Sequence, residues 1–554
     1  MKCMRVSTRI KDGLLLLTSW LFAIVYTYTN VFPDPDLWGR LSIGALFFQN
    51  GRFPYHDVFS YTVPHARWVD HEWLTGLVFY QILTRFGETG FLVFKYLMML
   101  GIFALLFRLH RKVYRVSTLY AFYALLALVD IYSVGLYATV RSHIFSFLFF
   151  LVELYLLERV RLGQQKKVSL WPIIPMLVLW GNMHGGVAMG LLLLACYGLG
   201  EAILQRNPRA GFCHWGMAIG SFLLLGFLNP YGPEYLSFLW HAWTLDRSKI
   251  GEWSALKLDV WVFMGAQLLF LFGMLLPLLR WWFRDKTDEQ EYGRLLTPSL
   301  VLVWSIVMML RAVRMQPFTA LIAIAYLPVF CNPEFIKRVL PEKLKRFFQQ
   351  KQATFCTILP SFLLLIAISL TISLQSTVGL LKVPLTDELS PINFVVTRYP
   401  VGAIDYLKHS PYHGNLMVHF GLGEFTLWAL YPQFKVSMDG RYEEVYTQAT
   451  FLRNHQYYNK RNYAQNWNAL PQINASQADF LLMQNDLPVT ARLVRSPLWK
   501  NLYTDAYFTI FGRQTTLAHF SEYKPKDNLA TTKLISIGDM VTDADLKRFK
   551  TKEY

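Results

Sequence analysis

The chain has 554 residues, of which 54% are hydrophobic, 16% aromatic and 16% charged, and its mean hydropathy is +0.28. Soluble domains carry roughly 25% charged residues, so this composition argues against a purely soluble protein and indicates many membrane spans with some soluble chain. The net charge of +17 is expected where Lys and Arg are held in cytoplasmic loops, and we predict no nucleic-acid partner.

The N-terminus carries Lys2, Arg5, Arg9 and Lys11, and the apolar run LLLLTSWLFAIVYTYTNVF follows. This run is close to the ~20 residues that span the hydrocarbon of a bilayer, and no small-residue cleavage site comes after it. We therefore predict an uncleaved first helix rather than a signal peptide.

Apolar segments then recur along the chain and predict about 11 membrane spans. They cover residues 14–31, 90–107, 117–137, 143–157, 169–181, 186–204, 214–229, 260–279, 296–310, 316–331 and 354–375. Residues 73–86 are also apolar, but a helix of that length reaches only ~21 Å at ~1.5 Å per residue. This segment is predicted to be a helix that lies in the interface.

The basic residues select the orientation of these spans. With the N-terminus inside, the basic segments 108–115, 158–167, 204–209, 280–286 and 337–351 all fall on the inner side. Counting 73–86 as a full span would move residues 108–115 outside and break this pattern. The positive-inside bias therefore predicts a cytoplasmic N-terminus and an outer C-terminus.

After residue 375 the sequence changes character. Short apolar runs such as GNLMVHF, FKVSMDGR and YFTIFGR alternate with turns, which predicts short strands among helices. We expect residues 1–375 to form a mostly α transmembrane domain with a first outer loop at 32–72. Residues 376–554 are expected to form a periplasmic α/β domain. The five cysteines make no CxxC pair and all precede residue 357, so neither a thiolate zinc site nor a disulfide framework is expected.

This topology gathers polar residues from many helices at the outer face. Ionisable groups at membrane depth are costly and indicate function by default. The candidates are Asp34, Asp36, Arg40, His71, Glu72, Arg141, His143, Asn182, His184, Tyr231, Arg311 and Arg314.

Simpler interpretations exist for several of these residues. Arg311 and Arg314 could snorkel to the interface, and His184 could satisfy backbone groups at a helix end. Asp70, His71 and Glu72 could cap the helix at 73–86, with a metal site at His71 and Glu72 as the alternative. Elsewhere, Asp57 is interpreted as a helix cap, and Asp439 with Arg441 as a salt bridge within a turn.

Asp34 and Asp36, in the phrase PDPDLWGR, are harder to explain by capping alone because one acid suffices for a cap. The four-residue spacing allows Asp36 to pair with Arg40 on one helical face. An acid at the outer membrane surface suits a general base that deprotonates an acceptor hydroxyl. Nearby Arg and His side chains suit a phosphate leaving group, and this combination is what transfer from a lipid-linked phosphate requires.

The order of these features resembles the GT-C glycosyltransferases, which use polyprenyl-phosphate or polyprenyl-diphosphate sugars as donors. The phrases DPDLWGRLSIG, GRFPYHDVFSYT, WVDHEWL, NMHGG, NPYG and SMDGRYEEVY are similar to a bacterial group of such proteins. The catalytic acid of the superfamily maps best to Asp36 and second to Asp34. Arg40 departs from the group, in which His is expected at that position.

The resemblance implies an inverting glycosyltransferase of the bacterial inner membrane. It would move a sugar from an undecaprenyl-phosphate carrier to a periplasmic-side glycolipid, surface glycan or protein. Asp36 would be the base, Asp34 would orient it or bind a divalent metal, and the sequence does not require such a metal. Two alternatives stay open: an O-antigen ligase or polymerase that relies on outer Arg and His, and a non-catalytic protein that binds a glycolipid. A transporter is disfavoured because the ionisable groups cluster at one face rather than at mid-membrane.

Overall fold

A computed structural model gives the fold of the protein. It describes residues 8–28, 34–133, 141–256, 274–283, 289–332, 335, 341–351, 358–377, 384–385, 399–523, 535–536 and 540–551. Helices dominate the first part of the chain: α1 (Thr8–Tyr28), α2 (Pro35–Asn50), α3 (Trp73–Arg108), α4 (Thr118–Ser133), α5 (His143–Arg161), α6 (Ile173–Met183), α7 (Val187–Leu204), α8 (Phe212–Leu228), α9 (Glu234–Thr244), α10 (274–282), α11 (Glu289–Arg311), α12 (Gln316–Ala325), α13 (Leu327–Phe330), α14 (Glu342–Gln350) and α15 (Leu359–Thr377).

The rest of the chain combines short helices with strands. The helices are α16 (Val401–His409), α17 (Phe420–Leu430), α18 (Tyr442–Val445), α19 (Gln448–Tyr457), α20 (Tyr463–Trp467), α21 (Leu470–Asn474), α22 (Pro488–Leu493), α23 (Gln514–Leu517) and α24 (Asp543–Lys547). The strands are β1 (Pro384–Leu385), β2 (Gly414–Met417), β3 (Phe434–Val436), β4 (Phe480–Gln484), β5 (Trp499–Thr504), β6 (Phe508–Arg513) and β7 (Ile535–Ser536). The prediction of a mostly α protein with a small α/β region near its C-terminus is confirmed.

Four of the described helical segments are long and apolar enough to cross a membrane. They are Trp73–Val113, Val187–Leu204, Pro208–Leu228 and Glu289–Arg311. Shorter apolar helices cover Thr118–Leu128, Val313–Ala325 and Leu359–Ser373. The predicted span at 260–279 lies mostly outside the described residues, and the count of about 11 spans stays a prediction.

Helix α3 contains a break that separates two predicted segments. Gly87 has φ of 63° and ψ of −167°, outside the helical region, and glycine adopts a positive φ at little cost. The break falls at the end of the predicted interfacial segment 73–86 and just before the predicted span 90–107. The sequence thus located the boundary between the segments 73–86 and 90–107. In the structure these two segments are consecutive parts of one helical stretch.

Helix α2 lies within the predicted first outer loop and packs closely on the start of α3. A Cβ on Gly44 would lie 2.5 Å from the Tyr80 Cβ, and one on Gly76 would collide with the Ile43 side chain. The two glycines therefore let the helix backbones approach each other. This contact holds the part of α2 that follows Asp36 by one to two turns against the start of α3.

A five-stranded sheet forms the core of the C-terminal region, in the order β3-β2-β4-β6-β5. Strand β2 is parallel to both β3 and β4, whereas β6 is antiparallel to β4 and to β5. The first outer loop joins the β3 edge, since the Val436 amide donates to the Phe59 carbonyl at 2.9 Å and the Tyr61 amide donates to the Val436 carbonyl at 3.2 Å. A protected edge is less prone to pair with other chains.

Helix α17 attaches the sheet to α2 through buried aromatic rings. The Trp38 ring on α2 contacts Phe425 and Trp428 on α17, with centroid distances of 5.2 and 6.2 Å. Trp38 is fully buried. Because large aromatic rings contribute strongly to packing energy, this contact joins the C-terminal region firmly to the helix that carries the paired aspartates.

Candidate active site

The two aspartates of PDPDLWGR have different roles at the start of α2. Asp34 is the N-cap residue, and its Oδ1 accepts from the Asp36 amide at 3.0 Å, with Pro35 in the first turn. Its side chain is 9% exposed, whereas that of Asp36 is 42% exposed. Capping thus explains Asp34, while Asp36 presents its carboxylate to solvent.

Arg141 joins both aspartates to a third carboxylate. Its guanidinium pairs with Asp36, lies 3.2 Å from Asp34 Oδ2, and donates to Glu252 Oε2 at 3.1 Å. Arg314 donates to the other oxygen of Glu252 at 2.9 Å. We call Asp34, Asp36, Arg141, Glu252 and Arg314 the Asp36 cluster.

The cations of the Asp36 cluster control its charge state. Burial alone would raise the pKa of Glu252, but Arg141 and Arg314 outweigh it and lower the pKa to about 2. Burial raises the pKa of Asp34, against the opposing effect of Arg141. The cluster sets three carboxyl groups against two guanidiniums, and the latter are the groups that recognise phosphate.

The loop that supplies Glu252 is held by stacked arginines. The Arg314 and Arg247 guanidiniums lie over the Trp253 ring at 4.9 and 4.4 Å from its centroid. Arg247 also lies 3.1 Å from Glu443 of the C-terminal region. Cation–π contacts of this kind connect the membrane helices, the loop and the C-terminal region around Glu252.

A second, more buried cluster lies one turn further along α2 and comprises Arg40, Asp70, His71, Glu72 and Glu444. Arg40 donates to Asp70 at 2.6 Å and lies 3.4 Å from both Glu72 and Glu444. The pair between Asp36 and Arg40 that the spacing allowed does not form, because the two side chains turn to different partners. We call these five residues the Arg40 cluster.

His71 supplies the second cation of the Arg40 cluster. Its Nδ1 lies 2.8 Å from Glu444 Oε1, and its ring stacks on Phe238 at 5.4 Å. Burial alone would lower the pKa of His71, but hydrogen bonding to Glu444 and Glu72 outweighs it and raises the pKa to about 10. Asp70, His71 and Glu444 each offer an atom within 4.8 Å of the others, as a metal site needs. Arg40 and the imidazolium already supply positive charge there.

The segment 141–143 connects the two clusters. The Ser142 hydroxyl donates to Glu72 at 2.6 Å, directly after Arg141 in the chain. Glu72 Oε1 lies 3.4 Å from His184 Nε2, while His184 Nδ1 is 2.6 Å from the Ser146 hydroxyl and 2.9 Å from the Gly186 amide. Burial lowers the pKa of His184 to about 3. The imidazole is therefore neutral and spans two helix ends.

The remaining predicted site residues make other contacts. Asn182 accepts from the Trp73 indole and from Asn229, and Tyr231 packs its ring on Tyr55 at 5.6 Å. His143 packs on Phe147 at 5.1 Å, and Arg311 is exposed at the end of α11.

Two other interpretations are settled by contacts in the first loop. Asp57 does not cap a helix: it accepts from the Ser60 amide at 2.7 Å in a turn and lies 2.7 Å from the Arg441 guanidinium. The Asp439–Arg441 salt bridge is confirmed, with Arg441 donating at 2.9 and 2.7 Å. Asp439 and Arg441 are buried. Their contacts hold the SMDGR turn (residues 437–441) beside the first loop.

Four carboxylates of the site were absent from the predicted set: Asp70, which was interpreted as a helix cap, and Glu252, Glu424 and Glu444. Glu252 lies in an outer turn that the topology did place at this face, and Glu444 lies in the phrase SMDGRYEEVY. Glu424 lies in HFGLGEF, which neither the predicted topology nor a motif of the resemblance marked as part of the site. Its Oε2 accepts from the Gly39 amide at 2.9 Å, across 385 residues of sequence.

Comparison with protein-family models and with curated protein sequences gives no match. Among solved structures, the chain is similar to an oligosaccharyltransferase from Archaeoglobus fulgidus tethered to an acceptor peptide with the NVT sequon. The TM-score is 0.50 and the identity 10%, over 91% of this chain and 74% of that one.

Two further solved structures are similar over most of this chain. One is A. fulgidus AglB in complex with an inhibitory peptide and a dolichol-phosphate, with a TM-score of 0.50, 11% identity and coverage of 92% and 75%. The other is ArnT from Cupriavidus metallidurans bound to undecaprenyl phosphate, with a TM-score of 0.47, 14% identity and coverage of 92% and 98%. The chain therefore has the fold of these archaeal oligosaccharyltransferase structures, which confirms the fold that the resemblance to GT-C glycosyltransferases implies.

Proposed function

We propose that this protein is an integral membrane glycosyltransferase of the bacterial inner membrane. It moves a sugar from an undecaprenyl-phosphate-type carrier to a periplasmic-side acceptor, which is a glycolipid, a surface glycan or a protein. The observation that carries this proposal is the Asp36 cluster, in which a solvent-accessible carboxylate pairs with Arg141, and Arg141 shares Glu252 with Arg314. The fold shared with AglB, whose structure holds a dolichol-phosphate, supports a lipid-linked donor.

Asp36 is the general base of the proposed reaction. It takes the proton of an acceptor hydroxyl while that oxygen forms a bond to the anomeric carbon of the donor sugar. The bond from the anomeric carbon to the phosphate oxygen breaks, and the phosphate leaves with the electron pair. A single displacement of this kind inverts the configuration at the anomeric carbon. Asp36 suits the role because its side chain is 42% exposed, against 9% for Asp34.

The arginines receive the leaving phosphate. Arg141 is shared among three carboxylates, and Arg314 stacks on Trp253 while it pairs with Glu252. A phosphate that arrives at the membrane surface competes for both guanidiniums. Binding of the donor would then draw Arg141 away from Asp36 and leave the carboxylate free to accept a proton. Exposed Arg311 extends the positive charge toward the lipid headgroups.

The Arg40 cluster supports this site without contacting the donor. Arg40, in place of the expected His, is buried and holds Asp70, Glu72 and Glu444. Glu72 in turn holds Ser142, the neighbour of Arg141. The cluster fixes the position from which Arg141 reaches the aspartates, and no metal ion is required in the proposal.

The substitution Asp36→Asn tests the assignment of the base. General-base assistance is worth roughly 10²–10⁴-fold in rate, so this variant should lose transfer by about that factor while it still binds the lipid donor. The measurement is transfer of labelled sugar from polyprenyl-phosphate donors by the purified protein in nanodiscs. The acceptor is identified by mass analysis of envelope glycans and glycoproteins from a deletion strain.

Asp486→Asn is the matched control, since Asp486 is exposed and pairs only with Lys460 among its described neighbours. Wild-type turnover by Asp36→Asn would remove the base assignment. If Arg141→Ala then abolished transfer, the ligase-type mechanism that relies on Arg and His would replace it. Donor binding without transfer by the wild type, with any acceptor extract, would instead identify a glycolipid-binding protein.

A further inference from the structure

We propose that Glu424 of the C-terminal region is a positioning residue of the transfer reaction, which holds Asp36 through a neutral carboxyl group. This inference rests on the proposed function, because it concerns the base of that reaction. Glu424 lies on α17, whereas Asp36 lies on α2, nearly 400 residues earlier in the chain. The C-terminal region would thereby complete the active site rather than merely cover it.

Two glycines enclose the Glu424 carboxyl. A Cβ on Gly39 would lie 2.5 Å from the Glu424 carboxyl carbon and Oε2, and a Cβ on Gly440 would lie 2.5 Å from Oε1. Side chains at either position would displace the carboxyl. The backbones of α2 and of the SMDGR turn therefore form a narrow slot, and Glu424 is only 2% exposed within it.

The two carboxyl oxygens of Glu424 have different surroundings. Oε2 accepts from the Gly39 amide at 2.9 Å, while Oε1 is buried and has no hydrogen-bond partner among the described residues. Asp36 Oδ1 lies 3.5 Å from the same Gly440 Cβ position that Oε1 approaches. Oε1 and Asp36 Oδ1 thus border one small space, while Asp36 Oδ2 pairs with Arg141.

A neutral carboxyl fits these surroundings better than a carboxylate. An ionised, buried carboxylate needs a cation or several donors, and Glu424 has one backbone donor. The titratable groups that face it are Asp36 and Arg40 on α2, Asp439 after β3, and Tyr399 just before α16. Burial and then the charge of Asp36 raise the pKa of Glu424 well above its usual range, against the smaller opposing effect of Arg40.

In the neutral form Oε2 is the carbonyl oxygen that accepts from Gly39, and Oε1 carries the proton. That proton is directed to the space beside Asp36, where it can donate to the carboxylate through one water molecule. Such a bond would fix the orientation of the Asp36 carboxylate. When Arg141 turns to the donor phosphate, Glu424 would keep Asp36 in place for the acceptor hydroxyl.

The experiment compares wild type, Glu424→Gln, Glu424→Ala and the control Glu522→Gln in nanodiscs, with kcat and the donor KM measured from neutral to alkaline pH. Glutamine keeps a donor and an acceptor, so Glu424→Gln should retain most of kcat at neutral pH. Glu424→Ala should lower kcat by up to roughly 10²-fold, as misplaced catalytic groups do, with little change in KM. Wild-type activity should fall at alkaline pH as Glu424 ionises, and that fall should be absent in Glu424→Gln.

An infrared spectrum of the same samples gives a readout that does not depend on turnover. The wild type should show protonated-carboxyl absorption that is weaker in Glu424→Gln and unchanged in Glu522→Gln, since other buried carboxyls such as Asp34 also contribute. An unchanged band in Glu424→Gln, or wild-type kcat in Glu424→Ala, would overturn the role of Glu424. Failure of the wild type to transfer sugar would instead overturn the proposed function, so the two failures are distinct.

Discussion

Asp34 and Asp36 differ in what their side chains contact, although they are two positions apart. Asp34 caps α2 and pairs with Arg141 Nε. Of the two aspartates, only Asp36 is open to solvent. The sequence could single out this pair because two acids exceed what one helix cap needs. It could not rank them by exposure, since exposure depends on how Pro35 starts the helix and on where Arg141 lies.

Asp34→Asn should be milder than Asp36→Asn. Asparagine keeps the Oδ1 acceptor for the Asp36 amide but loses the charge opposite Arg141. We expect a loss of kcat on the order of tenfold, which corresponds to about 1.4 kcal/mol. We also expect a chelator to have no effect on the wild type, because Arg141 is the cation between Asp34 and Asp36. Steady-state kinetics with and without EDTA measure both. A loss equal to that of Asp36→Asn, together with inhibition by EDTA, would indicate a metal held by Asp34.

The protonated form of His71 should make the stability of the protein depend on pH. Its pKa is raised to about 10 in the folded state from 6.5, so the stabilisation is complete below pH 6.5 and is lost as the pH rises toward 10. The difference in apparent unfolding temperature between wild type and His71→Gln should therefore be largest near pH 6 and shrink toward pH 10. Thermal unfolding in detergent at one heating rate measures it, with exposed His413→Gln as control. A difference that stays constant over this range would contradict a charged His71.

At the scale of elements, the sequence predicted those features that neighbouring residues determine. Residues 73–86 end where Gly87 interrupts α3, and the alternating runs after residue 375 do form short strands. Glu424 and Glu444 escaped prediction as site residues for the opposite reason. They reach the site only because α17 packs its aromatic residues on Trp38, and because the first loop joins the β3 edge. Contacts between residues some 400 positions apart produce no periodic pattern in the sequence, so they cannot be predicted from it.

The SMDGR turn after β3 should be sensitive to a single methyl group. In Gly440→Ala the new Cβ would lie 2.5 Å from Glu424 Oε1, and the side chain can move away more easily than the backbone. We expect a lower kcat with little loss of thermal stability, because the shift would separate Glu424 from Asp36. The control is Gly220→Ala, since a Cβ at Gly220 meets nothing within 4 Å. Equal kcat values for these two variants would show that the reaction tolerates displacement of the Glu424 carboxyl.

At the scale of the whole molecule, α5 relates the acidic site to the basic loops. It begins at His143, beside Arg141, and ends at Arg161, so its 19 residues extend ~29 Å at ~1.5 Å per residue. That length matches the ~30 Å hydrocarbon core of a bilayer. The Asp36 cluster and the loop that carries Lys166 and Lys167 should therefore lie on opposite faces of the membrane, and the positive-inside bias assigns the lysines to the cytoplasm.

Cysteine labelling of the full chain tests this orientation. With the native cysteines replaced by serine, Lys166→Cys and Arg461→Cys each introduce one exposed thiol. In spheroplasts, a membrane-impermeant maleimide should label Arg461→Cys at once, because the C-terminal region is predicted to face outward. Lys166→Cys should be labelled only after the membrane is permeabilised. Labelling of both thiols in intact spheroplasts, or of neither, would refute the predicted topology, and with it the idea that lipid-borne donor and periplasmic acceptor meet at Asp36.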